Sequence, residues 1–569
     1  MLLEERGKPN PLSPANPLIY ITGPLAGLAV GGSGRHVVMT RSPLTGFLGE
    51  AYSGGFFGTE LKKTGYDGLL FRGAADEPVY LTILEGSAEL RSARELWGKT
   101  SGETEDWLRA RHGKDVRVSC IGPAGENQVR FAAIINDRNR ANARCGVGAV
   151  MGSKNLKAVA VKGNLEPPVH DRRAFEEARR EYTKTLVTED MKSFGEYGTA
   201  DGVESLDHSG ILPTKNFQAG SFVGSSRISG KRMHDSILVD RDTCAACPVR
   251  CKRVVKTRAD GHEVTPDHGG PEYETMAAFG SLLMNDKLEW IALANQMCNA
   301  YGLDTISTGG VLAYAMEASE RGLIEEDLEW GDCAKACEMI EKIARRKGFG
   351  DILAGGVKAV SEWCGGKDFA MHVKGLEVAM HEPRGKKGLG LSYSVSPRGA
   401  SHMEGFHDPM ISKTPAPDIG VNVTMHRLVM DGKAGVLKRF EDARSFVNSL
   451  VLCVFDVDET GDETNLPLVR KMTSAVTGLN VDRQEMMRIG ERAFNLARMF
   501  AVRMGASRED DDLPVRFKES PLPFKDRSSA IPQAELDKAI KDYYEARGWD
   551  ANGKPTTERL RSLGMDIAS

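Results

Sequence analysis

Hydrophobic residues along the first 165 positions come in short β-branched runs: PLIYITG, RHVVMT, DGLLFRG, PVYLTIL, VRVSCIG and KAVAVKG. Glycine, aspartate or proline punctuates nearly every one, which predicts strands joined by tight turns. From about Asp171 the pattern changes. RRAFEEARREYTKTL, KLEWIALANQMCNAYG, CAKACEMIEKIARRKG and EDARSFVNSLVLCVF place apolar residues at i, i+3, i+4 and i+7, the spacing of one helix face. The two textures in that order predict an α+β protein. A β-rich domain over residues 1–168 is followed by mainly helical domains over 169–370 and 371–569, and 569 residues suit that number of domains.

The β-rich part predicts an internal duplication. ITGPLAG (21–27) leads to SGGFFGTELKKTGYDGLLFRG (53–73), and CIGPAGE (120–126) leads to CGVGAVMGSKNLKAVAVKG (145–163). Each half runs strand, Gly-Pro turn, strand, glycine-rich turn, the basic start of a short helix, then a strand ending in glycine. A glycine-rich turn at a helix start offers N–H groups to phosphate. The repeat therefore reads either as two structural units without ligand or as two seats for similar phosphate-bearing ligands. GVGAVMG has the spacing G-x-G-x-x-x-G, which fits neither the dinucleotide fingerprint nor the P-loop and excludes NAD and ATP at this stretch.

Charge narrows the function classes. Seventy-five basic residues against 79 acidic ones give a net −4, so nucleic-acid and membrane-surface binding are not expected. No run of eighteen apolar residues offers a membrane span. The opening MLLEERGKPNPLSP carries charges and prolines where a secretory signal needs an apolar core, so a cytoplasmic location is expected. Ten cysteines in so long a chain suit reduced thiols.

Three of those thiols, Cys244, Cys247 and Cys251, cluster in TCAACPVRC. Zinc modules come as paired C-x-x-C units, and no second pair or His pair follows. A radical-SAM cluster uses the reverse order. A four-iron cluster wants four thiolates, commonly three local and one distant, and Arg250, Lys252 and Arg253 suit its net negative charge. Spacing leaves the fourth ligand open among Cys120, Cys145, Cys298, Cys333, Cys337, Cys364 and Cys453, although Cys333 and Cys337, at i and i+4 on a helix, read better as small core residues.

TGPLAG, SPLTGF, SGGFFGTELKKTGYDG, IGPAGEN, RFAAIINDRNRANARCGVGAVMGSKNLKAVAVKG, GPEYET, YGLDTIST and RGWDANGKP together resemble the tungsten-dependent aldehyde ferredoxin oxidoreductase family from about residue 11 to the C-terminus. The resemblance implies a tungsten or molybdenum held by two pterin dithiolenes, one [4Fe-4S] cluster, and a magnesium ion bridging the pterin phosphates. It implies Cys453 as the fourth cluster ligand beside Cys244, Cys247 and Cys251. Arg35, Gly54, Arg140, Ala141, Arg144, Asn299, Leu303, Asp304 and Asn448 match its cofactor-binding positions. Glu274 and His402 match the glutamate and histidine near the metal, where a carboxylate suits a general base and an imidazole suits carbonyl polarisation. The implied substrate is an aldehyde or acyl compound, and the implied electron acceptor a ferredoxin or iron–sulfur subunit.

The chain departs from that pattern at Tyr52, Ala143 and Asn448, where archaeal members have Asn, Gly and Asp. Leu293 and Gln296 replace an E-x-x-H pair that ligates an inter-subunit iron, so any oligomer is expected to lack that site. Members of the family also open with a further strand segment before the position where this chain begins. HMEGFHD supplies His402, Glu404, His407 and Asp408 as ligands for a separate divalent ion, but their offsets share no helix face. Two other functions compete: the active-site subunit of a tungsten-dependent benzoyl-CoA reductase, and a non-catalytic metal- or cluster-binding scaffold.

Overall fold

The computed structural model describes residues 7–461, 464–524 and 528–565. Strands β1 (Leu18–Thr22), β2 (His36–Arg41), β3 (Leu48–Ser53) and β4 (Gly68–Phe71) pair antiparallel in the order β3-β2-β1-β4. A second sheet, in the order β6-β5-β10-β7-β8-β9, contains β5 (Val79–Leu84), β6 (Ser87–Ser92), β7 (Arg117–Cys120), β8 (Ile134–Asn136), β9 (Arg140–Asn142) and β10 (Leu156–Lys162).

Without the β5–β6 hairpin, the remainder, β9-β8-β7-β10, repeats the first sheet strand for strand, again with every pair antiparallel. The helices Phe57–Lys63 and Val147–Ser153 precede the last strand of each unit. The predicted duplication is thus one of topology. The hairpin adds to the outer edge of β10, where β5 forms a parallel pair.

The two units share one apolar core. Leu18, Tyr20, Val38, Phe57 and Leu61 of the first meet Ile134, Val147, Val150, Val159 and Val161 of the second. Polar ties complete the seam: Asn142 Nδ2 donates to the Ala51 carbonyl at 2.7 Å and Asn136 Nδ2 to Ser53 Oγ at 3.1 Å. Alternation along β1 and β2 sends Ile19, Ile21, Val37 and Met39 to the opposite face, where they line a cavity of about 460 Å³ against the helical part.

Helices dominate after β10. The four predicted segments form helices Arg172–Thr185, Leu288–Tyr301, Cys333–Ala344 and Lys433–Ser449. The last ends earlier than its apolar pattern suggested: Val451 takes φ 54°, and Cys453 lies in the loop beyond. Helix Lys433–Ser449 packs on Arg483–Arg503 and Gln533–Arg547. Arg547, fully buried, bridges Glu441 and Asp442 there, while Trp549 stacks on Phe494. That is what RGWDANGKP does in the fold. Among the described residues no helix is long and apolar enough to cross a membrane.

Candidate active site and thiol cluster

The cysteine loop hangs between two paired strands, Leu238–Asp242 and Lys252–Val255. Left-handed backbone at Ala246 and Arg250 curls it back on itself. Thr243 Oγ1 donates to the Cys247 carbonyl at 2.7 Å, and the Cys247 amide to the Cys244 carbonyl at 3.1 Å. The β-rich part clamps the loop from the other side. The Gly55 amide donates to Cys244 Sγ at 3.2 Å, and the Ala245 amide donates to the Gly55 carbonyl at 3.0 Å. Arg140 braces its start, bonding Asp242 Oδ2 at 2.9 Å and the Thr243 carbonyl at 2.7 Å.

Cys453 arrives from the far end of the chain, its amide bonded to the Gly32 carbonyl at 2.9 Å. Burial, reinforced by Asp456, pushes its thiol up to about 12, and burial raises Cys247 and Cys251 as well. Arg35 faces this group. Burial opposes its charge, but the Cys453 and Cys244 thiols and the Asp456 carboxyl hold it above its ordinary value.

The glycine turns place fewer free amides than expected. Phe56 N–H is taken by Asp137 Oδ2 at 2.9 Å, and Gly148 N–H by the Ala132 carbonyl at 2.9 Å. Ala141 sits half-buried in β9 opposite Ile135. Arg144 opens the turn before Val147–Ser153. One terminal nitrogen bonds the Glu377 carbonyl at 2.6 Å; the other, 3.8 Å from Asp304 Oδ2, is buried without a hydrogen-bond partner. Asp304 caps helix Thr305–Glu320 through Ile306 N at 3.0 Å. Leu303 bridges to Ala132, and Asn299 Nδ2 holds the His268 carbonyl at 3.0 Å. Asn448 lines the 460 Å³ cavity with Tyr52, Arg398 and Glu404, and its carbonyl accepts from Tyr52 Oη at 3.4 Å. Two of the three departures therefore face each other. Leu293 is core, and Gln296 Oε1 accepts from Thr265 N at 2.8 Å.

Glu274 occupies the first turn of helix Tyr273–Phe279. Its Oε2 accepts from Met380 N at 2.8 Å. Its Oε1 lies 3.1 Å from His381 Nε2 and 3.5 Å from His402 Nε2, yet out of line for a hydrogen bond, so it is buried and unpartnered. Among the described residues, Glu274, His381 and His402 are the one trio of such side chains whose ligand-type atoms fall within 4.8 Å. Burial is the main cause that pushes the His402 imidazolium down to about 3, against the pull of Glu274, and it lowers His381 and His407 well below the usual value. All three rings are therefore neutral at pH 7.

Sequence reasoning found Glu274 and His402 but missed His381, Lys386 and Asp456. His381 and Lys386 flank the irregular stretch EPRG, where no periodicity marks an inward side chain; the available signal was a titratable pair between apolar VAM and GLGLSYSV. The separate-ion alternative is not assembled. Glu404 is spent on Arg398 and Ser396, and Asp408 on Lys433 and the Gly388 and Leu389 amides.

A two-sheet duplicated base, a helical body and a four-thiol cluster beside a buried carboxylate define a protein class. The family model for the N-terminal domain of aldehyde ferredoxin oxidoreductase matches residues 1–163, and that for its domains 2 and 3 matches residues 173–565. The chain belongs to the aldehyde ferredoxin oxidoreductase family. It is 40% identical to the tungsten-containing aldehyde ferredoxin oxidoreductase of Pyrococcus furiosus, over 98% of this chain and 91% of that one. It is 39% identical to the protein of the same name from Thermococcus kodakarensis, over 99% and 93%. The active-site complex of benzoyl coenzyme A reductase with 1,5-dienoyl-CoA shares the fold, with a TM-score of 0.82, 23% identity, and coverage of 99% of this chain and 91% of that one.

Proposed function

We propose that this protein oxidises aldehydes to carboxylic acids with water as the oxygen source and passes the electrons to a ferredoxin or an iron–sulfur partner. The observation that carries the reading is Glu274 Oε1: a buried carboxylate oxygen without a partner, facing two neutral imidazoles in a chain of this family. Conversion of R–CHO and water to R–COOH releases two protons and two electrons. Glu274 takes the proton of the attacking water at its unpartnered Oε1. His402 steadies the negative charge that grows on the carbonyl oxygen.

Tungsten or molybdenum on two pterins, with a [4Fe-4S] cluster on Cys244, Cys247, Cys251 and Cys453, would supply the two-electron oxidant and a one-electron exit. The chain's own residues suit both groups. Arg35 beside Cys453 and Cys244 offsets thiolate charge. The unpartnered Arg144 nitrogen, with Asn299, Leu303 and Asp304 near it in sequence or space, suits one pterin. The cavity beside Asn448 suits the second. Gly54, Arg140 and Ala141 would help hold the pterins beside the thiol loop, where a magnesium ion would offset phosphate charge. The helical part reads as two domains meeting near residue 370.

The test is an oxygen-free assay of a panel of aldehydes and of benzoyl-CoA, with a low-potential dye as redox partner, on protein of measured tungsten, molybdenum and iron content. Aldehyde-dependent dye reduction supports the proposal. Activity confined to benzoyl-CoA, or protein without tungsten or molybdenum, overturns it.

A further inference from the structure

Lys386 is buried at the start of helix Lys387–Val395, where its ammonium meets two imidazoles edge-on. Nζ lies 3.1 Å from His381 Nδ1 and 3.2 Å from His407 Nδ1. The two rings stand nearly perpendicular, with centroids 4.4 Å apart. An ammonium has three donors and no acceptor, so each Nδ1 it bonds must present a lone pair. A neutral imidazole that accepts at Nδ1 carries its proton at Nε2. For His407 the consequence is visible: Nε2 lies 3.2 Å from the His402 carbonyl, a partner that can only accept. For His381, Nε2 faces Glu274 Oε1 at 3.1 Å.

We propose that Lys386 is a positioning residue that locks His381 and His407 as their Nε2–H tautomers. His381, so locked, is a third functional side chain of the pocket, presenting an N–H donor to the substrate oxygen beside His402. This rests on the aldehyde-oxidising reading for the substrate, but the tautomer assignment stands on Lys386 alone. The lock has three parts. His407 ties the loop that carries His402, through the 402 carbonyl. His381 is held from behind by Lys386, and its own carbonyl accepts from Tyr393 Oη at 3.3 Å. The same tautomer makes His381 Nε2 a donor, which sets this nitrogen apart from a metal ligand, since a ligand needs the lone pair there.

The charges that face Lys386 are Asp408, Glu274 and Glu382, which favour its ammonium form, and Arg427, which opposes it; the neutral rings of His381 and His407 complete the set. Burial pushes Lys386 down to about 8. A neutral amine can accept as well as donate, so the lock loosens as pH rises through that value.

The experiment uses the oxidised holoenzyme and the variants Lys386→Met, His381→Gln and His381→Leu, each with tungsten and iron content measured. Nitrogen-15 spectra of imidazole-labelled protein should show His381 and His407 protonated at Nε2 in the wild type and a tautomer mixture in Lys386→Met. The kcat of Lys386→Met should fall at least tenfold with KM changed less than twofold, and its profile should lose the alkaline limb near pH 8. His381→Gln, which keeps an N–H near the Nε2 position, should recover most of the activity that His381→Leu loses. Wild-type His381 protonated at Nδ1, or a Lys386→Met enzyme with unchanged spectra and unchanged kcat, overturns the proposal. Predicted tautomers in a protein that oxidises no aldehyde would instead overturn the functional reading and leave the lock in place.

Discussion

Gly54 packs its α-carbon directly against Cys244: a β-carbon there would sit 2.8 Å from Sγ. The neighbouring Gly55 amide bonds the same sulfur at 3.2 Å. The β-rich base thus presses on the thiol cluster with bare backbone, and no larger residue fits without moving the sulfur. Gly54→Ala should displace Cys244 and lower iron to less than about half the wild-type content per chain, because a lost thiolate weakens a four-ligand cluster. Iron analysis and the visible absorbance of anaerobic protein check this; full occupancy in the variant would contradict it.

Arg35 places a half-buried positive charge beside Cys453 and Cys244. Removing it makes an added electron less welcome. Arg35→Met should therefore shift the cluster's reduction potential in the negative direction, on the order of 100 mV for a partly screened charge at this range. Redox titration followed by electron paramagnetic resonance reads the shift. An unchanged or more positive potential would place Arg35 outside the cluster's field.

Glu274→Gln keeps the shape of the side chain and the acceptor facing Met380 N, but removes the base. Turnover should fall at least about 100-fold, with tungsten and iron content unaltered. A variant that retained wild-type kcat with full metal content would show that the proton leaves by another route.

His36 lies fully buried between Tyr20 and Phe57, and neither ring nitrogen has a hydrogen-bond partner. Burial, only partly offset by Asn142 and reinforced by Arg35, pushes its imidazolium down to about 3. Above about pH 6.5 the ring is neutral in folded and unfolded chains alike. As pH falls below that value the unfolded chain binds a proton that the folded one refuses, so stability is lost, by up to about 1.4 kcal/mol per pH unit. His36→Phe removes the proton-binding group while keeping a stacking ring. Its stability should decline less steeply than wild type between about pH 6.5 and 4.5 in denaturant titrations; parallel slopes would refute the assignment.

Arg547 is the buried cation between Glu441 and Asp442. Arg547→Met leaves Glu441 without its cation in the core, while Asp442 keeps Lys438 at 2.7 Å, at a cost of about 3–5 kcal/mol. Calorimetry should find a clearly lower unfolding temperature, and a shift within error of zero would mean the pair relaxes to water.

Much of this was legible in the chain. Short β-branched runs cut by glycine, aspartate or proline marked the strands, and the two Gly-Pro and glycine-turn segments foretold two units of one topology, because a repeated pattern of turns imposes a repeated order of strands. The cysteine loop carried enough local signal to be singled out, and the resemblance added Glu274 and His402. The lysine–imidazole contacts did not: His381, Lys386 and His407 meet through an irregular segment and a loop, and nothing in their spacing encodes a through-space contact. RGWDANGKP marked the resemblance without revealing its physics, since Arg547 meets partners 105 and 106 positions away. The helix end before Cys453 was also hidden, as the apolar VLC continues a pattern that the backbone at Val451 has already broken.

The thiol cluster draws on three stretches far apart in the chain: the glycines at 54 and 55, the loop 244–251, and Cys453. Synthesis runs from the N-terminus, so the fourth sulfur is the last to be made, at position 453 of 569. A growing chain therefore carries the three loop thiols without the fourth from position 251 to position 453, and the site is completed only when the late segment folds back onto Gly32. With the cluster proposed above on these four thiols, iron loading would wait for that return, and docking of the C-terminal part would set its timing.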